Sequence, residues 1–315
     1  MKHLFGPVPS RRLGRSLGID PIPSKTCNWN CIYCQLGRSV PVQHTFKAYY
    51  PLENILDELD EALAEHGSET DWITIVGSGE PTLYEPLDEL VNGVKTRTSL
   101  PLAVITNGST LYRPSVRKAL AAADVVMPSL DAGTPELYKR INRPHPEASF
   151  RRLMEGMTTF RDEYTGELWV EVMLVKDMND SEEALEAIAA CLKKIRPDQV
   201  HLNLPVRPPA ESWVVPASME GIERARKLLG KAASVVSPAS GVFTLEVDDD
   251  MVETLLAIVS RHPMSEDDLR AALAEQGLQV DALLPQLEAS NRFHIVERHG
   301  RRFWTAGPSV FPEQG

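Results

Sequence analysis

The sequence predicts an α/β fold: a partial (β/α)6 barrel over residues 1–240 and a small winged-helix-like domain over 241–315. Three observations carry this. Six short runs dense in Val, Ile and Leu alternate with helical patterns, and runs without polar alternation fit strands buried on both faces of a parallel sheet. Six strand–helix units are too few to close an eight-fold barrel, so the sheet is expected to stay partly open. After about residue 240 the alternation gives way to three short helical patterns and a hairpin.

The strand candidates are SLGID (16–20), DWITIVG (71–77), LAVITNG (102–108), DVVMPSL (124–130), LWVEVMLV (168–175) and QVHLNLP (199–205). Between the first two, the stretch from Pro51 to Gly67 repeats apolar residues at Leu52, Ile55, Leu56, Leu59 and Leu63, with Pro at its start and Gly at its end. Further helical patterns begin at Pro86, Pro114, Ser149, Ser181 and Ser218. SPASG (237–241) reads as a linker. Beyond it, DDDMVETLLAIVSRH, SEDDLRAALAEQG and DALLPQLEAS read as helices, and RFHIVERHGRRFWTAG as a hairpin turning at His299-Gly300.

The chain carries a net charge of −11, which excludes general DNA binding through a positive field. Local basic spots remain at Arg11, Arg12 and Arg15, and at Arg301 and Arg302. No apolar run approaches the roughly 20 residues that span a bilayer, and MKHLFGPVPSRRLGR lacks the apolar stretch of a secretory signal; a cytoplasmic location without membrane contact is expected. Four cysteines in such a chain argue against a disulfide framework. Cys191 lies in the helical pattern of Leu185, Ile188 and Leu192 and reads as a small buried hydrophobe.

The other three, Cys27, Cys31 and Cys34, crowd into CNWNCIYC with the spacing C-x3-C-x2-C. Three thiolates can hold a [4Fe–4S] cluster and leave its fourth iron open to a ligand. With His44 as a fourth ligand, the same residues would make a structural zinc site. The position of the loop after the first strand of an α/β sheet favours the cluster, because chemistry in such sheets sits beyond the carboxyl ends of the strands.

With Tyr33 before the last cysteine, the loop resembles the signature of the radical S-adenosylmethionine (radical SAM) superfamily. The resemblance implies that SAM chelates the open iron and that the reduced cluster cleaves it to a 5′-deoxyadenosyl radical. It also implies a one-electron donor such as flavodoxin or ferredoxin, and contact between the adenine and the backbone at Tyr33. VGSGEPTLYEPL, after the second strand, resembles the superfamily's GGEP motif: Gly77 and Gly79 permit close backbone approach, and the Ser78–Glu80 region would receive the methionine ammonium. Ser129 and Asp131, two apart at the fourth strand's end, are expected to share one face. The resemblance gives them, and Asn107 in ITNGS, the SAM ribose and charges. Asn203, ending the sixth strand, is a further candidate for the same cavity.

The resemblance covers roughly residues 1–235, and the block from Phe5 to Gly37 is also similar to a branch that includes tRNA wyosine-base synthases. Archaeal members of that branch carry a second cluster on extra cysteines. Only Cys191 remains here after the triplet, so a single cluster is expected. Three functions compete: an enzyme acting on tRNA or a peptide presented by the C-terminal module, a small-molecule enzyme with a structural tail, and a metal-sensing winged-helix regulator. Residues 246–315 hold six Arg, no Lys and thirteen acidic residues, which speaks against DNA reading. Every candidate ligand lies before residue 205, so the cofactor sites are expected to survive loss of the tail.

Overall fold

The computed structural model describes residues 2–10, 12–230, 232–236, 251–275, 277–298 and 300–306. Eight strands form one sheet in chain order: β1 (Leu4–Ser10), β2 (Gly14–Ile19), β3 (Trp72–Ile75), β4 (Leu102–Thr106), β5 (Val125–Pro128), β6 (Glu167–Met173), β7 (Gln199–Asn203) and β8 (Ala233–Val235). β2 to β8 run parallel and β1 is antiparallel to β2. The six expected strands are β2 to β7. Strands β1 and β8 extend the sheet at its two edges. β1 contains Gly6, Pro7 and Pro9, and its register with β2 shifts between Phe5 and Val8. Proline is tolerated at an edge or bulge, where no ladder hydrogen bond is lost.

Helices α1 (Leu52–His66), α2 (Leu87–Arg97), α3 (Pro114–Leu120), α4 (Pro135–Ile141), α5 (Phe150–Glu163), α6 (Glu182–Ile195) and α7 (Met219–Leu229) connect the strands. Thr134, Ser149, Ser181 and Ser218 cap α4 to α7 with their hydroxyls. Because strand order never reverses, successive right-handed crossovers put the helices on one face. Leu102, Val104, Val126, Leu168, Val170 and Val172 pack in the main core, while Ala103, Val125, Met127 and Trp169 alternate with them in a separate cluster inside the sheet's curve. Both faces are apolar, which is why these strands show no polar alternation. Cys191 is buried in the main core, its Sγ 3.7 Å from the Gly133 carbonyl oxygen.

The inner face also carries polar groups. Arg12 pairs with Glu171 inside the curve, and Glu171 lies in register with His201 on β7. Burial, reinforced by the Arg12 charge, lowers the His201 pKa to about 4. A histidine held neutral in the fold but protonated near 6.5 when unfolded stabilises the protein fully above pH 6.5, and that contribution is lost as pH falls toward 4. Urea titrations between pH 7 and 4 should therefore show a decline in stability that is shallower in His201→Gln. An identical slope in both proteins would remove His201 from the account.

The C-terminal part contains α8 (Met251–Arg261), α9 (Glu266–Glu275) and α10 (Val280–Ala289), with strands β9 (Met264–Ser265), β10 (His294–Arg298) and β11 (Arg301–Thr305). The three strands form an antiparallel sheet in the order β10-β11-β9. The three helices and the hairpin were expected; the two-residue β9 was not. Gly300 takes φ +73 at the hairpin turn, while His299, the linker 237–241 and the boundary at 240 lie outside the described residues. Leu255, Ile258, Leu273, Phe293 and Trp304 build this part's core together with Phe5 and Val8 of β1. The outer edge of the large sheet is thereby covered, as an edge strand in solution needs to be.

Candidate functional site

The cysteine loop leaves the carboxyl end of β2 and is held from several sides. Lys25, in the left-handed region at φ +66, donates its N–H to Ser78 O at 2.6 Å, and Glu80 N–H donates to Thr26 O at 2.8 Å. This pairing joins the loop to the turn after β3 and demands a small residue at its closest point. A Cβ on Gly79 would lie 2.0 Å from the Thr26 carbonyl oxygen. Ile32 N–H bonds to Ile141 O at the end of α4, and Glu211 N–H bonds to Ile32 O from the segment after β7. Trp29, 2% exposed, packs edge-on against Tyr138.

Cys27, Cys31 and Cys34 are unpaired thiols lining one cavity. Each sulfur faces nitrogen donors. Trp29 N–H lies 3.4 Å from Cys27 Sγ, Asn142 Nδ2 3.6 Å from Cys31 Sγ, and Lys25 Nζ 3.9 Å from Cys34 Sγ. Asn107 Nδ2 stands 3.9 Å from Cys27 Sγ. Neutral thiols are weak acceptors, so such a donor set suits thiolates. Burial, with the Glu80 charge next, pushes the Cys27 thiol up to about 12, and burial drives Cys31 well above its ordinary value. Thiolates at Cys27 and Cys31 therefore need a cationic group beside them, and a cluster of ferric and ferrous iron fits that need.

His44 does not join the sulfurs. Its Nδ1 accepts from Asn28 Nδ2 at 3.2 Å, its Nε2 faces the Tyr112 hydroxyl at 3.2 Å, and its ring stacks on His145. Among the described residues, no three Cys, His, Asp or Glu side chains converge to hold a single metal ion. The zinc alternative loses its fourth ligand.

Of the expected cofactor residues, Tyr33, Gly77, Ser78, Gly79, Glu80, Asn107 and Ser129 line the cavity with the cysteines. Glu80 is buried with its oxygens occupied: Oε1 accepts from the Thr82 and Thr106 hydroxyls, each at 2.5 Å, and Oε2 from Asn107 N–H at 2.6 Å. Burial raises its pKa against those donors. Glu80 thus ties the turn after β3 to the end of β4.

Asp131 and Asn203 do not line the cavity. The shared face expected for Ser129 and Asp131 does not hold: Ser129 still bridges Glu171 and Leu130 N–H still donates to Glu171 O at 2.8 Å, but Asp131 lies past this last pairing with β6. Asp131 turns into the protein instead, where it accepts from Tyr33 Oη at 2.5 Å, Asn142 Nδ2 at 2.7 Å and Met173 N–H at 2.8 Å. It positions the cysteine loop from behind, with its oxygens taken up by these donors. Its alternative as a helix cap also fails, since Thr134 caps α4. Asn203 sits in register with Met173, which does line the cavity, and its Nδ2 donates to Glu171 Oε1 at 3.2 Å.

Sequence reasoning missed several residues. Lys25, Asn28 and Asn142 act on the cysteine loop. Asp20, the acid after β2, was findable by the rule that chemistry collects at strand ends. Arg261 and His262 of the C-terminal part also line the cavity, so the expectation that the site belongs to the first 240 residues alone needs correcting.

A model of the radical SAM superfamily matches residues 22–191, and the chain belongs to that superfamily. It is thus an enzyme of the radical SAM class. The chain is 35% identical over 313 residues to the UPF0026 protein of Methanocaldococcus jannaschii, covering 96% of each chain. It is 39% identical over 298 residues to a protein of Brachyspira hyodysenteriae called GTPase Obg, where 92% of this chain spans 43% of the relative's length. Streptococcus suis SuiB bound to S-adenosylmethionine shares the fold with a TM-score of 0.51 and 16% identity, over 70% of this chain and 49% of that one.

Proposed function

We propose that the chain is a single-cluster radical SAM enzyme, with Cys27, Cys31 and Cys34 as the cluster ligands and SAM in the cavity beside them. The observation that carries this reading is a donor aimed at each of three thiols that line one cavity without converging on one ion. Bound there, the cluster would supply the electron that cleaves SAM to a 5′-deoxyadenosyl radical, which takes hydrogen from the substrate. The chain's residues prepare the ground for that chemistry. Lys25, Asn107, Asn142 and the Trp29 N–H stabilise charge on the sulfurs. The Asp131 carboxylate fixes the Tyr33 ring and leaves its backbone to the adenine. Ile105, Met173, Leu204 and Val206 give the cavity apolar walls that exclude water from a reactive radical. The electron that reduces the cluster would come from outside the chain, from a one-electron donor such as flavodoxin or ferredoxin.

The C-terminal part is read as a winged-helix-like module that presents a peptide. Phe303 and Trp304 are consumed in its core, and Arg302 pairs with Glu266 and Glu288, which leaves little of the hairpin to meet RNA. β10 is an outer strand of its sheet, and an open edge can take an extended peptide by strand addition.

The test is anaerobic reconstitution. The protein should hold about four irons per chain and, with dithionite and SAM, release 5′-deoxyadenosine, while Cys27→Ala should do neither. Stoichiometric zinc in place of iron would overturn the assignment.

A further inference from the structure

Arg261 is the last residue of α8, and it touches both the cysteine loop and the acid that follows β2. Its backbone carbonyl, one of the helix-end carbonyls without an intrahelical partner, accepts from Gln35 Nε2 at 3.0 Å. Gln35 directly follows Cys34. Its guanidinium Nε donates to Asp20 Oδ2 at 2.9 Å, and Asp20 is 2% exposed. The same Asp20 oxygen accepts from the Ser78 hydroxyl at 2.5 Å, and Oδ1 accepts from Ser78 N–H at 3.1 Å. A chain of contacts thus runs from the C-terminal module through one buried carboxylate to the turn expected to meet SAM. The remaining guanidinium nitrogens hold Ala257 O and Lys2 O, and the group lies 5.4 Å from the centre of the Phe5 ring. The β1 strand is therefore gathered into the same junction.

We propose that Arg261 is a positioning residue for SAM, so that docking of the C-terminal module and binding of SAM stabilise each other. This rests on the reading of the 77–80 turn as part of the SAM site. Burial raises the Asp20 pKa, and the Arg261 charge and Ser78 donors oppose that rise. Without Arg261 the carboxylate would stay buried with no cation beside it, and a charge in that state is relieved by moving or by taking a proton. Either change alters how Ser78 is held. Coupling between two binding events is reciprocal, so SAM must tighten the module by the same factor that the module tightens SAM.

The experiment uses the reconstituted full chain. Equilibrium dialysis with SAM should show Arg261→Gln binding about tenfold more weakly at unchanged iron content, with Arg261→Lys recovering part of the loss. Asp20→Asn should weaken SAM similarly, and the double variant Asp20→Asn/Arg261→Gln should be no worse than either single change. In the wild-type protein, SAM should slow amide exchange in 251–261, a readout that needs no variant to fold. Wild-type protein that takes iron but no SAM would sink the reading of the site and this inference with it. Wild-type protein that binds SAM without slowing exchange in α8, or Arg261→Gln with undiminished SAM affinity, would sink the inference alone.

Discussion

Gly79→Ala should leave a folded protein that fails to retain iron. The added methyl group would sit 2.0 Å from the Thr26 carbonyl oxygen and 2.5 Å from its carbon, both backbone atoms of the residue before Cys27. No side chain can swing aside, so the turn and the cysteine loop must part, breaking the Glu80 N–H to Thr26 O and Lys25 N–H to Ser78 O bonds. Overpacking of this kind costs about 1–3 kcal/mol, and a clash with backbone belongs at the upper end. The displacement falls on Cys27, the first of the proposed cluster ligands, so retained iron should drop at least about tenfold, beyond what the stability loss alone predicts. Gly67→Ala is the control. It stands at the end of α1 in helical conformation, where an added methyl meets only Leu63 Cδ2 at 3.9 Å. Iron content equal in Gly79→Ala and Gly67→Ala would refute the account of the loop.

Asp131→Ala should be the most destabilising change at the site. It strands three buried donors, the Tyr33 hydroxyl, the Asn142 amide and the Met173 N–H. Each unsatisfied buried donor costs about 1–3 kcal/mol before relaxation, and three of them lose their acceptor at once. Two of the three donors also reach the cluster ligands: Asn142 donates to Cys31 Sγ, and Tyr33 belongs to the cysteine loop. Asp131→Asn keeps the volume but turns one acceptor into a donor facing donors, so it should fall between alanine and the wild type. Denaturant midpoints of the three iron-free proteins decide this. A midpoint for Asp131→Ala within error of the wild type would show that the network carries no weight.

The parallel strands were legible because burial on both faces removes polar residues from a strand, and continuous Val, Ile and Leu runs are visible without any partner. β1 was not legible, since Gly6, Pro7 and Pro9 read as a loop and only an edge with a bulge accommodates them. The cysteines, the Gly77–Glu80 turn and Asn107 reach one cavity because each lies just past a strand's carboxyl end, which chain order alone predicts. Asp131 misled because counting by twos assumes a strand that continues, and the pairing with β6 stops at Ser129 and Leu130. Arg261 had no signal at all. An arginine at a helix end looks like any solvated charge, and its carboxylate lies 241 residues earlier in the chain.

That separation has a consequence in time. β1 is synthesised well before α8, whose residues pack against it. Domains fold from the amino end as they are made, yet here Phe5 and Val8 must wait for Leu255 and Ile258 before they are buried. Throughout that interval the β1 edge stands uncovered, and an uncovered edge is where mispairing starts. The thiols and the parallel strands are made before the wall to which Arg261 and His262 contribute. A nascent chain that has not yet reached Arg261 and His262 therefore carries an unfinished cavity.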